Sequence, residues 1–347
     1  TTGCKKGYLD TQPGDRYVET NFWVTEQAAT AGLTGCYAVL RYAGLYGGTG
    51  TPLMEETATP NAYAITNTDG WNTIAAGNHS ATTGGIIPNR WNGNYAGIGR
   101  CNTFLSKIDN VPMSADLKSR MKGEAYFLRA LYYFNLQTYF GDVPLILDAP
   151  NAETQSNLSR SPRTEVVQQV IKDLDQAAEL LPYKYAQTEV GRATKGAALA
   201  LKAKVLTFEA SPLFNASNDK SKWKIAAEAA NVLIDMKAQT GYDLFENYRN
   251  LFLPSFENNK EVIFDVQFIF PLGGNSFDVI NRQYNYNAPI LGIASAYQMT
   301  NGMEISEQGS GYDAKNPYNN RDSRLYSTIV FPGDTYMGVK VATNRFA

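Results

Sequence analysis

The chain has 347 residues, of which 44% are hydrophobic and 18% are charged, and its formal net charge is −2. A chain of this length can bury a sizeable core, and its Lys and Arg residues are scattered, so the sequence offers no basic surface for a nucleic-acid backbone. No apolar run reaches the ~20 residues that a membrane-spanning helix requires. We therefore expect a folded protein that neither binds nucleic acid nor spans a membrane.

The first predicted elements are a helix and a long polar loop. The helix runs from about Thr25 to Tyr42, where a group of glycines ends it. Residues 44–94 are then rich in Gly, Thr, Ser and Asn but carry few charges, and a loop of this length is more often functional or disordered than a simple connector. Because Tyr63 and Trp71 argue against disorder, we expect an ordered loop with a function.

The next two helices include the one around which the chain is organised. Residues 91–109 carry apolar side chains at helical spacing. The second helix begins at Ser114, whose hydroxyl can accept from the N–H groups of the first turn, and it ends at Gly141, which suits a left-handed C-terminal position. Its apolar residues form two stripes, so neighbouring elements must cover most of its circumference. We predict a buried central helix.

Three more helices complete the helical part of the chain. Ser161 as N-cap and Pro162 at the first helical position predict a helix that continues to Leu181. The other two span about 194–210 and 223–238, and the short loops between these helices predict antiparallel neighbours. The sequence shows no clean tetratricopeptide repeat at a period of ~34 residues.

The C-terminal part of the chain has a different pattern. Residues 261–270 alternate well enough to predict a strand, and residues 325–331 are also strand-like. Between them, residues 272–289 form a second polar loop that carries aromatic side chains among Gly, Asn and Ser. This loop is the second region in which we expect a function.

Several kinds of chemistry are excluded or unsupported. His79 is the only histidine, so the two-histidine motif of metalloproteases is impossible, and no phosphate-binding loop is present. Residues 67–70 imitate part of a calcium loop, but Ile65 stands at its leading acidic position. We therefore predict no metal site and no cofactor. Paired carboxylates for glycoside hydrolysis stay open, because their separation is spatial.

The three cysteines contain no Cys-x-x-Cys pair, so they predict neither a zinc site nor a redox dithiol. Cys36 and Cys101 lie within apolar helical patterns that are typical of buried thiols, and a disulfide is the alternative.

The first candidate ligand site is centred on Trp71, which has Asp69 and Asn72 beside it. A sugar has apolar C–H faces and a polar rim, so a flat aromatic ring covers the face while Asn, Asp, Gln or Arg side chains satisfy the hydroxyls. The alternative interpretation is that Trp71 packs inward and holds the long loop in place.

The second candidate site is the pair Tyr284 and Tyr286, accompanied by Arg282, Asn285 and Asn287. Two tyrosines at positions i and i+2 share one face if the backbone is extended. We expect them to form an aromatic surface for a ligand, with ordinary packing as the alternative.

Four stretches of the chain carry a resemblance to a known family. Glu124-Ala-x-Phe-Leu-Arg-Ala-x-x-Tyr-Phe-x-Leu136, followed by Tyr139-Phe-Gly-Asp-Val-Pro-Leu145, resembles the SusD/RagB family of nutrient-binding lipoproteins from Bacteroidota. Residues 191–206, 296–302 and 316–326 are similar to further stretches of that family and occur in the same order.

The resemblance implies a mostly α fold of tetratricopeptide-like stacked helix pairs, with long irregular loops and a few short strands. It implies a single domain over residues 1–347. That domain comprises an N-terminal arm at 1–24, a helical scaffold at 25–253 with a loop insertion at 44–90, and a part rich in loops and strands at 254–347. Family members continue with further helices beyond the stretch that resembles residues 331–334, so the resemblance also predicts a truncated C-terminal part.

The resemblance further implies a function at the outer membrane. We expect capture of an extracellular glycan or oligosaccharide, without catalysis, and its delivery to a SusC-like TonB-dependent transporter. Cys4 would be the acylated lipid anchor of the extracellular-facing protein. Glu124 and Arg129 resemble family positions that we interpret as structural ions. The alternatives are peptide binding as in RagB-type members, a glycoside hydrolase and a structural helical-repeat scaffold.

Overall fold

The chain is described by a computed structural model, which covers residues 22–48, 52–269, 274, 276–336 and 338–342, without the side chains of Asp278 and Arg282. Over these residues the protein is mostly helical, which confirms the predicted fold class. The α-helices are α1 Glu26–Ala38, α2 Trp71–Ala75, α3 Ile86–Lys107, α4 Ala115–Phe140, α5 Ala152–Gln155, α6 Arg163–Leu180, α7 Lys195–Ala210, α8 Lys220–Asp235, α9 Lys237–Thr240, α10 Phe277–Tyr284, α11 Leu291–Ala296 and α12 Leu325–Thr328.

In the described ranges the strands are short and form two antiparallel pairs. Strand β1, Ala62–Tyr63, pairs with β2, Ala288–Pro289, and strand β3, Thr335–Tyr336, pairs with β4, Val339–Lys340. Of the helices in the described ranges, none combines the length and the apolar character needed to cross a bilayer.

Contacts divide the chain into two compact units that interleave along the sequence. The described residues of the helical unit are 22–42, 90–241 and 263–266, and those of the loop-rich unit fall within 43–89, 242–262 and 267–342. Most of the predicted loop insertion at 44–90 thus belongs to the same unit as the second polar loop.

The helical unit is built on α4. Its predicted ends are confirmed, because Ser114 Oγ accepts from the backbone N–H of Leu117 and Gly141 has a φ of 68°. Helix α4 contacts α1 and α6, while α6 contacts α7 and α7 contacts α8, which gives the predicted stacked helix pairs. Gly97 of α3 is needed for close packing, since a Cβ there would lie 2.4 Å from the ring of the buried Tyr132.

Two buried ionic groups hold the helices of this unit together. Arg129 of α4 donates from Nε and Nη2 to the two carboxylate oxygens of Asp173 on α6, both at 2.7 Å, and from Nη1 to Asn102 on α3 at 2.9 Å. Glu124 is fully buried and accepts from Tyr37 at 2.8 Å and from Arg192 at 3.0 Å. Glu124 and Arg129 are therefore structural ions, as predicted.

Some helix boundaries differ from the prediction. Helix α3 begins at Ile86 instead of Trp91, and α8 spans Lys220–Asp235, so it starts and ends earlier than expected. Helix α6 begins after Pro162 and has no side-chain cap of its own; Asp142 Oδ1 accepts from the backbone N–H of Arg163 at 2.8 Å instead. A carboxylate distant in sequence thus replaces the predicted serine cap.

The two longer strands predicted in the C-terminal part are wrong. Residues 261–269 form no strand in the structure, and Phe264 packs its ring against Phe127 of α4 at a centroid distance of 4.8 Å. Leu325 is fully buried and opens the one-turn helix α12. Phe264 and Leu325 are thus packed without a paired strand, so the apolar pattern of these segments did not require one.

The cysteine predictions are partly tested. Cys36 and Cys101 are buried free thiols, which confirms the thiol interpretation over the disulfide, and burial raises the pKa of Cys101. Cys4 lies outside the described residues.

Candidate ligand-binding site

Trp71, the first predicted aromatic platform, is only 3% exposed. It forms a hydrophobic cluster with Met54 and Ile86, and Phe277 and Tyr286 pack against this cluster. A ring enclosed in this way presents no face to a ligand, so the structure agrees with the alternative interpretation, in which Trp71 holds the loop by packing. Trp71 can influence a ligand site only indirectly, because Tyr286 packs against the cluster that contains Trp71.

Asp69 and Asn72, the predicted partners of Trp71, shape the turn that leads into α2. Asp69 has a positive φ of 54°, and its carbonyl oxygen lies so close to Gly85 that a Cβ there would approach to 2.4 Å. Asn72 Nδ2 donates to the carbonyl of Ala64 at 2.9 Å. These contacts fix the loop around the buried Trp71.

Tyr284 and Tyr286, the second predicted pair, stack with ring centroids 5.4 Å apart and an angle of 27° between the rings. The extended backbone that we expected is wrong, because Tyr284 is the last residue of α10 and Asn285 adopts a left-handed conformation with a φ of 49°. This left-handed residue ends the helix, and the two rings stack across it. Tyr284 is 54% exposed, so the stacked pair reaches the surface.

The hydroxyl of Tyr286 is held by the first polar loop. Hydrogen bonds with the side chains of Thr66 and Thr68 lower the pKa of Tyr286, and the two threonine hydroxyls lie 2.9 Å apart. Asn67, between them, is tied to Thr73 by its side-chain amide, with Nδ2 donating to Oγ1 at 2.8 Å. The residues around the tyrosine pair therefore include several uncharged hydrogen-bonding groups in fixed positions.

Asn287 also connects the two loops. Its Nδ2 donates to the carbonyl of Leu53 at 3.1 Å, so the amide helps to hold the second loop against the first. Asn285 serves as the C-cap of α10. The side chain of Arg282 lies outside the described residues, so its role in a ligand site stays a prediction.

Tyr63 is a further aromatic residue of this region that we did not predict as a site residue. In β1 it pairs with Ala288, two residues after Tyr286 in the chain, and it is 54% exposed. The sequence did contain a signal, since residues 62–65 alternate small and large side chains, and in the structure Ala62 and Ala64 are buried while Tyr63 and Ile65 are exposed.

The tyrosine pair, Tyr63 and the two threonines together form what we call the tyrosine surface, defined as Tyr63, Thr66, Thr68, Tyr284 and Tyr286. It offers aromatic faces and hydroxyl groups and carries no formal charge. Among the described residues, no group of three or more His, Cys, Asp or Glu side chains could hold a metal ion. Aromatic rings beside hydroxyl groups suit a polar ligand that also has an apolar face.

Comparison with known protein families shows to which family the chain belongs. A family model named SusD-like and described as starch-binding and associating with the outer membrane matches residues 7–206, more than half of the chain. The chain belongs to the SusD-like family. Curated relatives include a SusD-like protein of Bacteroides ovatus, 24% identical over 96% of this chain and 58% of its own length. SusD-like protein P25 of Formosa agariphila is 24% identical over 77% of this chain and 49% of its own.

A solved SusD-like structure has the same fold. The crystal structure of a SusD-like carbohydrate-binding protein from Bacteroides fragilis matches with a TM-score of 0.80 and 28% identity, over 92% of this chain and 62% of that chain. The present chain thus spans about half to three fifths of the length of these SusD-like relatives.

Proposed function

We propose that this SusD-like chain binds an extracellular glycan or oligosaccharide at the tyrosine surface. The observation that carries the proposal is the stacked and exposed Tyr284–Tyr286 pair beside the fixed hydroxyls of Thr66 and Thr68. The apolar face of a sugar ring would lie on the tyrosine rings, and its hydroxyls would exchange hydrogen bonds with the neighbouring polar groups.

Two features favour a neutral glycan at this surface. The five residues that define the surface are uncharged, and their hydroxyl groups are of the kind that hydrogen-bond to sugar hydroxyls. The stacked pair is also supported from within by the Trp71 cluster, so little ordering of side chains is needed when a ligand binds.

The family supports the cellular setting of the proposal. Its model is described as starch-binding and associating with the outer membrane, and the relative from B. fragilis is described as carbohydrate-binding. We propose that the chain acts at the outer membrane without catalysis, is anchored there through Cys4, and passes its ligand to a SusC-like TonB-dependent transporter.

Binding can be tested with the full chain carrying Cys4→Ala, which prevents acylation. Its migration would be measured in native affinity gels that contain starch, laminarin, xylan or pectic galacturonan, with a mixture of short peptides as competitor in parallel lanes. Retardation by a polysaccharide that peptides do not relieve is the expected result. Retardation by no polysaccharide, together with binding of the peptides, would replace the proposal with a peptide-binding function.

Delivery needs a separate test. The full chain, expressed in a bacterium that carries its own outer-membrane transporters, would be crosslinked at the cell surface and purified. We expect to recover a TonB-dependent transporter in stoichiometric amount. Recovery of the chain alone would contradict the transporter partnership. Glycan binding would then still be judged by the affinity gels.

A further inference from the structure

A concave site lies in the loop-rich unit. It is a cleft of about 320 Å³ lined by Ile293, Ala296, Tyr297, Gln298 and Arg324. None of these residues belongs to the tyrosine surface. The volume is at the small end of the range of about 300–1,000 Å³ that is usual for ligand pockets, so the cleft would take a small group or a short segment of a longer ligand.

The walls of the cleft are fixed by Arg321, which is only 2% exposed. Its Nη2 donates to the carbonyls of Ala294 at 2.7 Å and Tyr297 at 2.5 Å, and its Nη1 donates to Pro317 at 2.7 Å. One buried guanidinium therefore ties the segment that contains Tyr297 to the segment that precedes Arg324.

Backbone contacts add to this connection. The N–H of Asp322 donates to the carbonyl of Gln298 at 2.8 Å, and Met299 forms a β-bridge with Arg321. The two walls thus have a defined separation before any ligand arrives, which reduces the ordering that binding must impose.

The charge at the mouth of the cleft is balanced within the protein. Arg324 donates from Nε to both carboxylate oxygens of Asp322, at 3.0 and 3.1 Å, and from Nη2 to one of them at 2.5 Å. These hydrogen bonds hold the pKa of Asp322 at about 2, so the pair remains ionised. Since the two charges cancel, the cleft has no uncompensated positive charge for an acidic ligand.

Donor and acceptor groups remain available beside this ion pair. Within the described part of the chain, Nη1 of Arg324 and the side-chain amide of Gln298 have no hydrogen-bond partner, and both residues are exposed. The amide supplies both a donor and an acceptor, and the guanidinium supplies donors only. Tyr297, Ile293 and Ala296 complete the lining with an aromatic ring and aliphatic surface.

We propose that this cleft is a second carbohydrate subsite that takes one neutral sugar residue of a longer glycan. The aromatic and aliphatic side chains would cover the apolar face of the sugar ring, while Gln298 and Arg324 hydrogen-bond its hydroxyls. The choice of carbohydrate rests on the proposed function, whereas the cleft, its fixed walls and its balanced charge are observed independently.

Gln298→Ala and Arg324→Ala test the subsite, because both side chains are exposed and neither variant empties the core. Gln239→Ala is a matched control, since Gln239 is an exposed glutamine of α9 in the helical unit. Dissociation constants would be measured for starch, laminarin and their trisaccharides, with thermal unfolding to verify that each variant is folded. A third polysaccharide, pectic galacturonan, tests whether Arg324 prefers an acidic sugar.

We expect each cleft variant to weaken binding of starch or laminarin by about fivefold, the effect of one lost hydrogen bond, while binding of the trisaccharide at the tyrosine surface is unchanged. Unchanged polysaccharide binding in both variants would overturn the subsite while leaving the proposed function intact. If galacturonan binds more tightly than starch and laminarin, and Arg324→Ala removes that difference, the subsite is not specific for neutral sugars. If the wild-type chain binds no carbohydrate, the proposed function fails first and the subsite fails with it.

Discussion

Tyr284 and Tyr286 stack on each other with their ring centroids 5.4 Å apart, although Asn285 alone separates them in the chain. Asn285 adopts a left-handed backbone conformation at the end of α10, and the two rings stack across this residue. Because Tyr286 also packs against the Trp71 cluster and is hydrogen-bonded by the first polar loop, the aromatic surface depends on both loops.

Replacing either tyrosine of the stack should weaken glycan binding. In Tyr284→Ala the exposed ring is lost, and we expect an affinity lower by about tenfold, which corresponds to about 1.4 kcal/mol. The measurement is isothermal titration with whichever polysaccharide retards the wild-type chain. Trp223→Ala is the control, because Trp223 is 42% exposed on α8 of the helical unit, and it should bind like the wild type.

The threonines should act through Tyr286. Thr66→Val and Thr68→Val remove the hydrogen bonds that lower the Tyr286 pKa, so that pKa should rise towards its ordinary value. Glycan binding should weaken by less than in Tyr284→Ala, because the rings remain. Thr207→Val, on an exposed part of α7, provides the comparison, and a Tyr286 resonance that titrates identically in all these variants would disprove the contact.

Trp71→Ala should destabilise the protein. Removing a buried tryptophan leaves a cavity, and such changes cost about 3–5 kcal/mol. Chemical denaturation should show this loss, and Trp223→Ala, which removes a ring that is already 42% exposed, should lower the free energy of unfolding by less than Trp71→Ala does. An equally stable Trp71→Ala protein would show that the tryptophan does not pack as described.

The buried Arg129–Asp173 pair gives a test of the helical unit. Asp173→Asn leaves a buried guanidinium without its counter-charge, and loss of one partner of such a pair costs about 3–5 kcal/mol. The control lies two residues away on α6. Asp175 forms an exposed ion pair with Lys202, so Asp175→Asn should cost less than about 1 kcal/mol. Similar unfolding midpoints for the two variants would contradict the structural role of Arg129.

The ion pair at the cleft predicts a pH dependence. Asp322 has a pKa of about 2, below its ordinary value of 3.8, so its ionised form stabilises the folded loop. The stabilisation of the folded loop by ionised Asp322 is therefore complete above pH 3.8 and is lost as the pH falls through about 2. Polysaccharide binding that depends on the cleft should therefore be constant from pH 8 to pH 4.5. A decline centred near pH 4 would show that Arg324 does not lower the pKa of Asp322.

Much of the helical unit could be predicted from the sequence because its signals are local. Ser114 and Gly141 mark the ends of α4 through capping and a positive φ, and Thr194 caps α7 in the same way. The start of α6 could not be predicted correctly, because its first N–H is satisfied by Asp142, which the chain brings there only in the folded state.

The candidate site was harder to predict because it depends on contacts between distant segments. The amino-acid types at Trp71 and Tyr284 do not reveal that one ring is buried and the other exposed. The pairing of β1 with β2, which places Tyr63 opposite Ala288, joins residues more than two hundred positions apart. Single-sequence patterns predicted a function for both loops but could not show that both loops fall in one compact unit.

The most direct test of glycan capture is the dissociation constant of the Tyr284→Ala, Tyr286→Ala double variant for starch and laminarin, measured by isothermal titration beside the wild type and Trp223→Ala. We expect the wild type and the control to bind one of these glycans with equal affinity, and the double variant to lose measurable binding while it remains folded. A folded double variant that binds as tightly as the wild type would contradict the assignment of the tyrosine surface as the glycan site.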